Sequence, residues 1–96
     1  MKFNLIVSFF AEMGWQALGK ISNPLTGKTE KNLEIAKQVI ELLETLKEKT
    51  KGNLTDEENR FLNSTIADLQ LNYVDEITKE KKGNEPENKT QTENIT

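Results

Sequence analysis

The first twenty residues predict a helix with apolar side chains on almost every side, more than a small chain can bury by itself. Polar residues recur every four positions and form one narrow polar edge: Asn4, Ser8, Glu12, Gln16 and Lys20. The residues between them are mostly apolar: Phe3, Leu5, Ile6, Val7, Phe9, Phe10, Met13, Trp15 and Leu18. A helix of this kind needs a further surface to cover it, either a protein or a membrane. The pattern therefore predicts an interaction role, and no set of residues in the chain specifies a reaction or a ligand.

The composition excludes several classes of function. At 96 residues the chain has room for one domain, whose core is of marginal stability by itself. The sequence contains no Cys and no His, which excludes disulfides, Cys/His zinc sites and thiol nucleophiles. The net charge of -3 and a single arginine, Arg60, argue against binding to nucleic acid. We therefore expect no enzymatic activity, no cofactor and no nucleic-acid partner.

The N-terminus has a weak likeness to a secretory signal peptide. Lys2 is followed by a mainly apolar run that Asn4 and Ser8 interrupt and that Glu12 ends. A cleavage site with small residues is poor here, and the run is far shorter than the roughly 20 apolar residues that span a bilayer. These features favour a cytoplasmic protein over an exported one.

A second helix gives the clearest periodicity in the chain. Asn23-Pro24 ends the first helix at about Lys20, because the residue before proline avoids the helical region. The second helix is predicted from about Glu30 to Thr50, with Thr29 as its N-cap. Its apolar residues fill one half of the helical wheel: Leu33, Ile35, Ala36, Val39, Ile40, Leu42, Leu43 and Leu46. A face this wide predicts contact with two neighbouring helices.

A third helix follows a glycine stop. Gly52 is predicted to adopt a left-handed conformation at the end of the second helix, and Thr55 with Glu58 forms a capping box. The third helix is predicted from about Asp56 to Thr78. Its main apolar stripe is Leu62, Ile66, Leu69, Tyr73 and Ile77, and a second patch lies well round the wheel: Ala67, Leu71 and Val74.

These elements predict an all-α fold, either a small three-helix bundle or a helical hairpin with an additional N-terminal helix. The helical domain is predicted over residues 1–79. Residues 80–96 are rich in Lys, Glu, Asn and Thr and contain one apolar residue, Ile95. Such a segment cannot bury enough surface to offset chain entropy, so we expect a disordered polar tail.

Two local runs resemble a known family. They are Asn23-Pro24-Leu25-Thr26-Gly27 in the first turn and Glu48-Lys49-Thr50-Lys51-Gly52-Asn53-Leu54-Thr55 between the second and third helices. With Asp68-Leu69-Gln70-Leu71 and Tyr73-Val74, they resemble the uncharacterised bacterial family named domain of unknown function 1844. The resemblance covers about Asn4 to Asp75. It implies a small helical fold in a bacterial cytoplasm, and it implies no activity.

Two polar patterns have a structural interpretation that outweighs a functional one. Gly27-Lys28-Thr29 matches the end of a phosphate-binding loop, but Ser22 stands where the full motif requires glycine. A turn followed by a helix cap explains it better. Glu41, Glu44 and Glu48 share a helix face with lysines, which is typical of a solvated face rather than of a metal or acid–base site.

The candidate interface combines residues of the first and third helices: Leu5, Phe9, Glu12, Trp15, Ala67, Leu71 and Val74. Trp15 lies beside the polar edge, and either an interface anchor or a core position fits it. Two hypotheses follow. In the first, the chain is a helical interaction module that self-associates or binds a protein partner. In the second, it is a peripheral membrane protein whose N-terminal amphipathic helix lies in the interface, although that helix offers few cations to anionic lipid.

Overall fold

The computed structural model describes residues 2–84, which form three helices. These are α1 (Phe3–Ala17), α2 (Leu33–Lys49) and α3 (Asp56–Asn84). The predicted all-α fold of three helices is therefore confirmed. The first residues of the predicted polar tail, 80–84, continue α3, and residues 85–96 lie outside the described part of the chain.

The helices pack as a bundle in which α2 runs antiparallel to its two neighbours. The Ala17 carbonyl accepts a hydrogen bond from the backbone N–H of Asn32 at 2.7 Å, and Gly14, one turn earlier, approaches Val39. In α3, Leu69 approaches Gly14 and Glu76 reaches the end of α1, so α3 runs in the same direction as α1. Every pair of helices is in contact, so each helix packs against the other two.

One hydrophobic core joins the three helices. Its buried side chains are Phe3, Val7, Ala17, Leu18, Ala36, Val39, Ile40, Leu43, Leu62, Ile66 and Leu69. Full burial of a Val, Leu, Ile or Phe side chain contributes about 1.5–3 kcal/mol, before the cost of chain ordering. The broad apolar face predicted for α2 does contact both neighbours, because α2 packs on α1 and on α3.

The three helices approach one another closely at Gly14. A Cβ atom at this position would lie 2.9 Å from Leu69 Cδ2 and 3.3 Å from Val39 Cγ1. Both neighbouring side chains are buried and have no free space to move into. A glycine in the middle of α1 therefore lets α2 and α3 close over the helix.

The sequence placed the end of α1 about three residues too late. The helix ends at Ala17, and Gly19 follows with a φ of 77°. The N–H of Gly19 donates to the Gln16 carbonyl and the N–H of Lys20 donates to the Trp15 carbonyl, which is the Schellman pattern of helix termination. Gly19 was the signal for this stop.

The predicted start of α2 was also wrong. The N-cap is Asn32 rather than Thr29, and its side-chain oxygen accepts from the N–H of Ile35 at 3.2 Å. Lys31 pairs with Leu18 in an isolated antiparallel bridge, which holds the chain extended up to Asn32. Helix formation can begin only after that bridge.

The connection between α2 and α3 follows the prediction closely. Gly52 has a φ of 83°, which confirms the left-handed stop. Thr55 Oγ1 accepts from the N–H of Glu58 at 3.1 Å, and Glu58 Oε1 accepts from the N–H of Thr55 at 2.9 Å. This reciprocal pair is the predicted capping box, and α3 then continues beyond Thr78 to Asn84.

Candidate functional site

Four apolar side chains of α1 face solvent on one side of the helix. Leu5 is 51% exposed, Ile6 45%, Phe9 63% and Met13 45%. We call this set the α1 stripe. It lies round the helix from buried Phe3 and Val7, and Met13 borders buried Ala17 in one groove. The bundle leaves these four side chains about half exposed.

The apolar surface continues from the α1 stripe onto α2. Met13 and Ile35 line one groove between the end of α1 and the start of α2. The two helices are antiparallel, so moving towards the start of α1 and towards the end of α2 follows the same direction in space. Two turns from Met13 in that direction lies Ile6, and two turns from Ile35 lies Leu42. Ile35 and Leu42 are exposed and lie seven residues apart on one side of α2, and Ile35 is the residue that meets the α1 stripe.

The predicted interface residues of α1 do not all lie together. Glu12 is exposed and borders the α1 stripe, on the same side as Leu5 and Phe9. Trp15 lies apart from them, half-buried and packed against the core. Of the two alternatives that the sequence left open for Trp15, this packing favours the core position.

A second apolar surface lies on the outside of α3. Ala67 is exposed, Leu71 is 71% exposed and Val74 is 60% exposed. We call these three residues the α3 patch. They lie away from the side of α3 that buries Leu62 and Leu69, so the α3 patch is a surface separate from the α1 stripe.

A buried carboxylate near the end of α3 is the feature that sequence reasoning missed. Glu76 Oε2 lies 2.7 Å from Lys20 Nζ, and Glu76 Oε1 lies 2.7 Å from Lys31 Nζ. The Glu76 side chain is 6% exposed, whereas the two lysine side chains remain about one-third exposed. We call these three residues the Glu76 clasp. It ties α3 to both ends of the α1–α2 connection.

The charge state of Glu76 follows from these contacts. Hydrogen bonds from Lys20 and then Lys31 favour the ionised form, and burial opposes it less strongly. Together they lower the pKa of Glu76 from 4.5 to about 2. A carboxylate with both oxygens occupied and so low a pKa stays ionised at neutral pH and is a poor proton donor. The Glu76 clasp is therefore a structural contact rather than an acid–base site.

One sequence signal could have revealed the Glu76 clasp. Glu76 comes two helical turns after Leu69, so it falls on the apolar stripe that buries Leu62 and Leu69. An acidic residue at a core-facing position is expected to have a cationic partner. The sequence does not identify that partner, because Lys20 and Lys31 lie far away along the chain.

Residues 2–84 contain neither a membrane-spanning helix nor a cluster of metal-binding side chains. No helix in this part of the chain is both long and apolar enough to cross a bilayer. The same residues contain no group of three or more acidic side chains arranged to hold a metal ion.

A comparison with known families identifies the family of the chain. The profile of the family described as Domain of unknown function (DUF1844) matches residues 1–76. The chain belongs to DUF1844. The DUF1844 match includes the α1 stripe, the α3 patch and the Glu76 clasp, and it stops within α3. No curated protein and no solved structure matches the chain.

Proposed function

We propose that this DUF1844 chain is a small helical interaction module that self-associates through the α1 stripe. The observation that carries the proposal is the exposure of Leu5, Ile6, Phe9 and Met13 along one side of a helix that also buries four residues in the core. Scattered exposed apolar residues are ordinary, whereas a contiguous group is typical of a contact surface. The neighbouring Ile35 and Leu42 enlarge the group.

The energetics favour association. Burying a fully exposed large apolar side chain contributes about 1.5–3 kcal/mol. The side chains of the α1 stripe are 45–63% exposed, so each contributes about half of that on association. Association loses translational and rotational freedom at a cost of roughly 4–15 kcal/mol, so only part of the burial energy appears as affinity. We therefore expect self-association at micromolar concentrations.

The α3 patch is the weaker contact surface of the two. Its largest members, Leu71 and Val74, are more exposed than most of the α1 stripe, but the third member is only Ala67. The α1 stripe has four large side chains and continues onto α2. We assign the main contact to the α1 stripe and a smaller contribution to the α3 patch.

Sedimentation velocity with matched variants tests this assignment. The first variant is Leu5→Gln with Phe9→Gln, and the control is Leu71→Gln with Val74→Gln on α3. The molar mass of the wild-type protein from sedimentation should be well above the 11.0 kDa of one chain. The α1 variant should sediment as a monomer with unchanged helical circular dichroism, and the α3 variant should keep most of its association.

Two results would contradict the proposal. If the wild-type protein stayed monomeric at concentrations up to hundreds of micromolar, self-association would not be its function. If only the α3 variant dissociated into monomers, the contact would lie on the α3 patch and not on the α1 stripe.

A peripheral membrane role is the second candidate, because the exposed Phe9 and its apolar neighbours also suit insertion into a lipid interface. The charges oppose it: the α1 surface has Glu12 near the apolar stripe and Lys2 at its start, whereas anionic lipid favours several Lys or Arg. Liposome flotation separates the candidates. We expect no flotation with phosphatidylglycerol vesicles. Flotation that the Leu5→Gln and Phe9→Gln changes abolish would support the membrane instead.

A further inference from the structure

The outer side of α1 carries a row of residues with opposite charges at its two ends. Lys2, Leu5, Phe9 and Glu12 are separated by three, four and three positions, which places them along one side of a helix. All four are exposed. Lys2 is the N-cap of α1 and Glu12 lies one turn beyond Phe9, so the apolar pair is bracketed by a cation and an anion.

We infer that the occupant of this surface is a second copy of the chain, whose α1 lies antiparallel to the first across a two-fold axis level with Val7. This inference rests on the proposed self-association. In this arrangement Leu5 faces Phe9 of the second copy. Lys2 faces Glu12 of the second copy, and the symmetry repeats each contact.

The charges select this register over its neighbours. If one helix moved by a turn, Phe9 would face Phe9 of the second copy, and Lys2 and Glu12 would face uncharged positions. If the helices lay parallel in register, Lys2 would face Lys2 and Glu12 would face Glu12. Like charges in direct opposition are destabilising, so the antiparallel arrangement centred on Val7 is the one with fully complementary ends.

The rest of the apolar surface is compatible with the same arrangement. Met13 shares a groove with Ile35 of α2, so the α1 stripe has one edge turned towards α2. A two-fold axis perpendicular to the paired helices keeps both copies of α2 on the same side of the pair. Leu42 and Ile35 of each copy therefore border the contact and add apolar area to a helix pair that is short by itself.

Charge reversal in the full-length chain tests the register. Glu12→Lys places two cations opposite each other at both ends of the dimer, and Lys2→Glu places two anions there. Each variant should raise the dimer dissociation constant by about tenfold, because two exposed ion pairs become two like-charge pairs. The double variant, Lys2→Glu with Glu12→Lys, should return to within about twofold of wild type, since its ends are again complementary.

A matched control and a salt series separate the electrostatic effect from a loss of structure. Glu48→Lys makes the same change in net charge as Glu12→Lys, at an exposed site on α2, and should leave the dissociation constant unchanged. At 1 M salt the screening length is about 3 Å, so the single variants should approach wild type in affinity. Circular dichroism must show equal helix content for all variants.

The outcomes distinguish this inference from the proposed function. A wild-type monomer contradicts both. A wild-type dimer that neither single charge reversal weakens contradicts only the antiparallel register. In a parallel pair each residue would face its own copy, so like charges would be opposed both before and after either reversal. Weakening by both single variants without recovery in the double variant would also overturn the register.

Discussion

Helices α1 and α2 bury similar numbers of residues but differ on their outer sides. α1 buries Phe3, Val7, Gly14 and Ala17, and α2 buries Ala36, Val39, Ile40 and Leu43. Away from the core, α2 is mainly charged, and its exposed Ile35 lies at the edge next to α1. α1 instead exposes Leu5 and Phe9. Most apolar side chains of α2 therefore contribute to the core, with Ile35 and Leu42 exposed, whereas those of α1 are divided between the core and the exposed α1 stripe.

The ends of the two helices differ as well. The N-cap of α2 is Asn32, whose side chain accepts a backbone hydrogen bond, and basic Lys47 and Lys49 complement its C-terminal end. The N-cap of α1 is Lys2, which makes no side-chain capping bond. Local signals therefore stabilise α2, and α1 depends more on its tertiary contacts.

The largest expected effect is the contrast between a buried leucine of α2 and an exposed phenylalanine of α1. Leu43 is fully buried, so Leu43→Ala should reduce the free energy of unfolding by about 2–5 kcal/mol. Phe9→Ala should change it by less than about 0.5 kcal/mol, because a 63% exposed side chain leaves no cavity. Urea denaturation at submicromolar concentration, where the monomer dominates, measures both. Equal losses would show that Phe9 belongs to the core.

An intermediate effect is expected at the Glu76 clasp, which fastens the end of α1. Glu76→Gln removes the charge while keeping the shape, and should cost about 1–2 kcal/mol at pH 7 after allowance for the partly exposed lysines. The pKa of Glu76 is lowered from 4.5 to about 2 in the folded state. Its contribution is therefore complete above pH 4.5 and is lost as the pH falls towards 2.

A pH series of denaturation curves measures this dependence. The stability difference between wild type and Glu76→Gln should be constant from pH 7 to 5 and should close between pH 4.5 and 2. A difference that persists unchanged at pH 2 would mean that packing, and not the ionised carboxylate, explains the loss.

The smallest effects are expected at the connection that ends α2 and starts α3. Gly52→Ala should cost about 1 kcal/mol because Gly52 has a φ of 83°, which disfavours side chains. Thr55→Ala should cost about 1 kcal/mol through the lost capping bond to Glu58. Lys51→Ala is the control and should be neutral within about 0.5 kcal/mol. Thermal unfolding compares the three variants, and wild-type stability in both test variants would refute the role of this connection.

The sequence predicted the features that depend on neighbours along the chain. The Gly52 stop and the capping box of Thr55 and Glu58 are local patterns with one dominant solution. The start of α2 was missed because Thr29 and Asn32 are both good caps, and the choice between them depends on the bridge from Lys31 to Leu18.

The candidate site was predictable to a smaller extent. An excess of apolar side chains indicated a contact surface on α1, and the structure does leave Leu5 and Phe9 exposed. The packing of the helices determines which residues share a surface, and it places Trp15 against the core. The Glu76 clasp could not be predicted in full, since pairing with Lys20 and Lys31 arises only after three helices assemble. The interface itself stays a prediction.

The long sequence separations within the Glu76 clasp have a consequence for the timing of folding. Glu76 lies 56 positions from Lys20 and 45 from Lys31. Contacts that close such large loops carry a high entropic cost before they give any stabilisation, so we expect them to form after the folding transition state. Glu76→Gln should then accelerate unfolding and leave the refolding rate nearly unchanged in stopped-flow measurements. The clasp would thereby set how long the native state persists, and not how quickly it is reached.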